Sequence, residues 1–224
     1  MWREFPFGAY SPTLCCMNTA SLAYSEEFVP EDEIIRSARL RGVEVGAPPI
    51  LPGGGAALCF LAAAISARSV VEVGTGCGVS GLWLLRGMRP DGTLTSVDLE
   101  PEHQRMARQA FAEAGFSGSR IRLITGRALD VLPRLADQGY DLVFCDAAKQ
   151  EYLEYYTEAV RLLRPGGILA FDNALWHDRV ADPTQRDPDT VAVRELGRLI
   201  RGDERLRPLM LPLGDGLLAA VKAP

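Results

Sequence analysis

Apolar residues along the chain fall into two alternating patterns. Short, nearly continuous apolar runs at 69–73, 93–98, 121–125, 141–146 and 167–172 have the length and composition of strands buried on both faces. Between them, 79–88, 101–114, 128–136 and 150–163 repeat their apolar residues every three or four positions and predict helices. That alternation predicts an α/β class, a doubly wound and mostly parallel sheet with helices on both faces. The rhythm breaks near the end. "LRPLMLPLGDGLLAAVKA" is two apolar runs joined through Gly214, Asp215 and Gly216, which predicts a hairpin and two antiparallel strands. Upstream, 31–42 and 54–67 predict two helices separated by "GAPPILPGGG", a cap or lid over the sheet. With no repeat or linker, the reading is one domain over 17–224, including a helical cap over 17–67, preceded by a tail of little function at 1–16.

Composition narrows the class. A chain of 224 residues, 47% hydrophobic and 24% charged, fits one soluble domain with a continuous core. Its net charge of -5 argues against nucleic acid or an anionic membrane surface as the main partner. The longest apolar stretch, 56–67, is too short to span a bilayer, and the N-terminus lacks the pattern of a secretory signal, so a cytoplasmic location is expected. Five cysteines (Cys15, Cys16, Cys59, Cys77 and Cys145) form no C-x-x-C and no Cys/His cluster, and read as free thiols.

"VVEVGTGCGVSG" carries the first chemistry, placing Gly74, Thr75, Gly76 and Gly78 between a strand and a helix. Gly76, Gly78 and Gly81 satisfy G-x-G-x-x-G, so a nicotinamide or flavin dinucleotide is one reading. Glu72, inside the strand, would repel a pyrophosphate and suits a ligand with a cationic end. Asp98 ends the second strand, where a carboxylate accepts from ribose hydroxyls. S-adenosylmethionine meets both conditions.

The next two strands also end on oxygen. Asp146 closes "YDLVFCD", and Asp172 and Asn173 follow "GGILAF". Either these residues merely turn the chain, or they converge where an open parallel sheet collects its ligands. Two carboxylates and an amide carbonyl are hard donors suited to Mg²⁺, with Mn²⁺ and Ca²⁺ as alternatives. Lys149, three residues after Asp146, would point its ammonium at the same spot. Repelled by a divalent cation, it could act as a general base. Trp176, in "ALWHDRVADPTQRDPDT", is either a stacking surface for an aromatic ring or a packing residue. Of the two histidines, His103 reads as helix surface and His177 is undecided; Cys77 and Cys145 read as packing.

The chain resembles the cation-dependent O-methyltransferases related to catechol and caffeoyl-CoA O-methyltransferases. The resemblance runs from about 46 to 222 through "EVGTGCGVSGLWL", "SVDLEPEHQRMAR", "FCDAAKQEY", "FDNALW" and "LPLGDGLLAAVK". It implies a Rossmann-like methyltransferase fold, a homodimer, and a site in which Glu72 lies by the methionine moiety and Ser80 meets its carboxylate. Asp98 would hold the ribose and the Ala128 backbone would contact adenine. Asp146, Asp172 and Asn173 would bind the metal and Lys149 would be the base. Two departures stand out. Ala148 replaces an aspartate beside the site, and Leu218 replaces a substrate-holding glutamate. The reaction so implied is methyl transfer to a small aromatic vicinal diol. Metal coordination would activate a phenol, whose pKa is otherwise about 10. The alternatives are an NAD(P)-dependent oxidoreductase and a catalytically silent S-adenosylmethionine-binding module.

Overall fold

A computed structural model of the chain describes residues 19–116 and 118–224. The tail at 1–16, with Cys15 and Cys16, lies outside the described residues. Three helices come first: α1 (Thr19–Glu27), α2 (Glu33–Glu44) and α3 (Pro52–Ala64). The alternating region follows as β1 (Ser69–Val73), α4 (Val79–Gly87), β2 (Thr93–Asp98), α5 (Pro101–Glu113), β3 (Ile121–Thr125), α6 (Ala128–Val131), β4 (Tyr140–Cys145), α7 (Tyr152–Leu162) and β5 (Leu163–Phe171). Last come α8 (Pro188–Gly202), β6 (Leu206–Leu211) and β7 (Leu217–Lys222). No described helix is long and apolar enough to cross a membrane.

The strands form a seven-stranded sheet in the order β3-β2-β1-β4-β5-β7-β6, parallel except for β7, which runs antiparallel to β5 and β6. Alternation along each strand splits the core in two. Val70, Leu142, Phe144, Ile168 and Ala170 pack under α2–α5, whereas Val71, Val143, Cys145, Leu169 and Phe171 pack under α6–α8. Both faces are covered, which is why the strands read as continuous apolar runs rather than as alternation.

Sequence expectation and structure differ in instructive places. The periodic segment 128–136 is helical only to Val131 and then tightens into a 3-10 turn at Leu132–Arg134, where Pro133 removes a donor. Helix α8 has no counterpart in the expectation. Its start is nonetheless marked: Asp187 caps the Thr190 amide at 3.0 Å and Pro188 occupies the first turn.

Because the winding direction reverses between β1 and β4, the loops after these strands part and leave a crevice. One glycine permits their close approach at its base. Gly74 has φ +95°, and a Cβ there would lie 2.0 Å from the Asp146 carbonyl oxygen. Asp146 N in turn donates to Val73 O at 2.8 Å, so the two loops are stitched at their roots. Gly74→Ala should therefore cost about 2–5 kcal/mol, combining left-handed strain with a backbone clash. A fall in the urea midpoint at unchanged m-value checks this, and an unshifted midpoint would refute it.

Candidate active site

A cavity of about 910 Å³ opens at the carboxyl ends of the parallel strands. Its floor is the glycine loop, from which Gly74, Thr75, Gly76 and Ser80 line the wall, together with Asp98 and Ala128. Asp98 organises this side. One of its oxygens accepts from the Thr75 and Gly76 amides, both at 2.9 Å. Its other oxygen accepts from Glu100 N at 2.9 Å and lies 3.3 Å from His103 Nδ1. Gly78 is behind the wall, where its left-handed conformation (φ 93°) starts α4 and packs on Ala107 and Phe111.

Glu72 is also behind the wall rather than on it. Its side chain is fully buried on the face of β1 that meets α4, accepting from Ser80 Oγ at 2.6 Å and Ser96 Oγ at 2.5 Å. Ser96 is bonded to Thr75 Oγ1 at 2.6 Å, and Gln104 Nε2 donates to that hydroxyl at 2.8 Å. The acid thus anchors a polar network that holds Ser80 and Thr75 where the cavity needs them. Burial pushes the Glu72 carboxyl up to about 7; the two hydroxyls pull it down, and the charges of Asp98 and Asp146 push it up further.

Across the cavity stand Asp146, Asp172, Asn173, Lys149 and Trp176. Asp146 and Asp172 leave the adjacent strands β4 and β5, and Asp172 N donates to Cys145 O at 3.1 Å, which keeps the two strand ends in step. Burial, reinforced by the negative charge of Asp146, raises the Asp172 carboxyl to about 7. Lys149 Nζ donates to Asp146 Oδ1 at 2.9 Å and to Tyr152 Oη at 2.8 Å, and sits 5.5 Å from the Trp176 ring centroid. Tyr152 Oη then donates to Asp172 O at 3.1 Å. Burial raises that phenol well above its ordinary value, so it remains a donor. Among the described residues no three His, Cys, Asp or Glu side chains form a metal-holding group; Asn173 lines the same cavity as this acid pair.

Known proteins match the chain over most of its length. The family described as O-methyltransferase matches residues 48–223. The chain belongs to the O-methyltransferase family. A relative from Mycolicibacterium vanbaalenii, named as an O-methyltransferase, is 53% identical over 216 residues, covering 96% of each chain. Another from Mycobacterium tuberculosis, also named as an O-methyltransferase, is 55% identical over 200 residues, 89% of each. Among solved structures, the O-methyltransferase TomG of Streptomyces achromogenes, involved in tomaymycin synthesis and solved with S-adenosylmethionine, superposes with a TM-score of 0.81. It is 31% identical, and the match covers 92% of this chain and 97% of TomG. The mixed sheet with its antiparallel final strands is the fold of class I methyltransferases.

Several residues of this O-methyltransferase are placed differently from their sequence reading. His103 lines the cavity instead of the helix surface, because α5 begins three residues after Asp98 and its first turn faces back toward the strand end. Leu218 is buried in the core under α6–α8 and absent from the cavity wall, whereas Ala148 is on it. The proline-rich segment at 47–51 closes one side of the cavity, and His177 and Asp215 line it too. Cys77 and Cys145 are buried and unbridged; Cys77 Sγ packs 3.4 Å from Met106 Sδ. Tyr152 carried no signal in the sequence, and Asp215 read only as part of the hairpin turn. The signal for Asp215 was an acid between two turn glycines, which a hairpin does not require.

The raised Glu72 carboxyl makes stability depend on pH in a definite direction. It holds its proton to about pH 7 in the folded chain but only to 4.5 when unfolded, so across that window the native state binds more protons and stability falls as pH rises. Asp172 adds a contribution of the same sign. In EDTA, Glu72→Gln should flatten the loss of stability between pH 5 and 8, by of order 1–3 kcal/mol. Urea titrations at the two pH values read it directly, and equal slopes in variant and wild type would show that Glu72 is not the source.

Proposed function

We propose that the protein transfers the methyl group of S-adenosylmethionine to one hydroxyl of a small aromatic vicinal diol, catechol-like or hydroxycinnamoyl-like. A divalent cation, Mg²⁺ in the first instance and Mn²⁺ or Ca²⁺ otherwise, would assist. One observation carries the reading: Asp146, Asp172, Asn173 and Lys149 share one wall of a cavity whose floor is the glycine loop and Asp98. The methyl donor is supported by family membership and by the relative TomG, which was solved with S-adenosylmethionine. Glu72, Gly74, Thr75, Gly76, Gly78, Ser80, Asp98, Ala128 and Asp146 make up its site in this proposal, Glu72 and Gly78 acting from behind the wall.

The residues present fit a divalent cation. Two carboxylates and an amide oxygen are hard donors, and the Asp172 carboxyl, raised by burial and then by the charge of Asp146, is a group whose ionised form a cation would favour. Asp146, Asp172 and Asn173 would hold the ion, which would supply polarisation of the acceptor hydroxyl. The chain's own groups do the rest. Lys149, fixed by Asp146 and Tyr152, takes the hydroxyl proton. The acceptor oxygen bonds to the methyl carbon as the carbon–sulfur bond breaks, leaving a neutral thioether. Trp176 and the segment at 47–51 align the ring and exclude water, and alignment of this kind is worth up to about 7–11 kcal/mol in model reactions. The proposal includes a homodimer, which the family resemblance implies and sedimentation would test.

Lys149→Ala should lower kcat by about 10²–10⁴-fold. The Kd for S-adenosylmethionine should stay near that of wild type, and EDTA should abolish transfer to catechol and hydroxycinnamoyl acceptors in the wild type. Calorimetric titration with and without Mg²⁺, followed by methyl-transfer assays, measures all three. Unchanged turnover would remove Lys149 from the mechanism, and EDTA-resistant transfer would remove the cation.

A further inference from the structure

The turn between β6 and β7 joins more of the molecule than a hairpin needs. Gly214 (φ 57°) and Gly216 (φ 87°) supply the positive angles. Between them, the Asp215 side chain reaches into the loop after β5. One carboxylate oxygen accepts from His177 N at 2.6 Å; the other lies 3.4 Å from Asn173 Nδ2 and 3.5 Å from His177 Nδ1. Ala174 N donates to Gly216 O and Leu175 N to Asp215 O, both at 2.8 Å. On the other side, Gly214 N donates to Glu26 Oε1 of α1 at 2.5 Å.

The segment held in this way is conformationally costly. Trp176, His177 and Asp178 have φ angles of 48°, 54° and 63°, three successive left-handed residues that all carry a Cβ, and Asn173 before them has 55°. Such backbone persists only where its surroundings over-determine it. Its consequence is placement. The turn sets the Trp176 ring beside Lys149 Nζ, and with Nδ2 drawn toward Asp215 the Asn173 amide keeps its oxygen free.

We propose that Asp215 is a positioning residue for the acceptor side of the site. Its carboxylate holds the 173–178 loop, with Asn173 and Trp176–Asp178 left-handed, which orients the Asn173 oxygen and fixes Trp176 as a wall for the acceptor ring. This rests on the reading of the cavity as a cation-assisted methyl-transfer site and extends it to a residue whose contacts are with the loop after β5, not with Lys149. Arg194 of α8 supports the same loop further on, its guanidinium donating to the carbonyls of Arg179, Val180, Asp182 and Gln185.

Full-length Asp215→Ala and Asp215→Asn test the proposal, since asparagine keeps an acceptor oxygen for His177 N. In Asp215→Ala, amide exchange at 173–180 should quicken at least about tenfold, the effect of losing one charge-assisted hydrogen bond. Acrylamide should quench Trp176 more readily, with Trp176→Phe defining its share of the emission. Mn²⁺ affinity, read by electron paramagnetic resonance without acceptor, should weaken, and the KM for a catechol acceptor should rise more than kcat falls. The Kd for S-adenosylmethionine should not move, and Asp215→Asn should recover most of each loss. Unchanged exchange and quenching in Asp215→Ala would overturn the proposal, as would an equal loss of methyl-donor binding, which marks a general defect. If wild type itself bound no Mn²⁺ and methylated no catechol, the functional reading would fall instead, and exchange and quenching alone would decide whether Asp215 holds the loop.

Discussion

Everything in the site hangs on the contact between Gly74 and the carbonyl oxygen of Asp146. The loops leaving β1 and β4 must lie against each other at the sheet's switch point, and no side chain larger than hydrogen fits between them. From that contact the glycine loop runs one way, toward Ser80 and α4. The acid–lysine pair runs the other way, toward Tyr152 and α7. A methyl donor above the first and an acceptor above the second would meet over the strand ends, and their separation would be set by backbone rather than by adjustable side chains. This suits a reaction whose barrier falls chiefly through alignment.

Negative charge is concentrated where the fold can least solvate it. Glu72 is fully buried under the glycine loop and Asp172 nearly so at the end of β5, and both titrate near neutrality for that reason. A structure selected for stability alone would place apolar residues at both positions. Instead, Glu72 maintains a hydroxyl network through Ser80, Ser96 and Thr75, and Asp172 adds to an acid pair only partly offset by Lys149. Both are arrangements that become favourable when positive charge arrives, whether from the ammonium and sulfonium groups of a methyl donor or from a cation.

Much of the floor of the site was legible from residue order. Gly74, Gly76 and Asp98 were recognisable because each lies within three residues of the end of an apolar run, and strand ends face the crevice in any parallel sheet. Asp146, Asp172 and Asn173 were recognisable for the same reason. The walls were harder. His103 looked like helix surface because the chain pattern does not show how tightly α5 turns back on β2. Asp215 looked like an ordinary turn residue because its partners, Asn173 and His177, lie 42 and 38 positions away. Leu218 was read against a substrate contact, yet strand alternation aims it into the core under α6–α8.

The sequence by itself determined the class of the sheet, the order of its strands along the chain and the identity of the groups at their carboxyl ends. These follow from local periodicity and from the rule that ligands gather where parallel strands end. Only the tertiary structure decided which of those groups face the cavity and which stand behind it. That depends on the twist of each side chain relative to a wall built from distant segments. It put Glu72 behind Ser80, Tyr152 under Lys149 and the 214–216 turn against the loop after β5, because packing brings together residues that no interval along the chain relates.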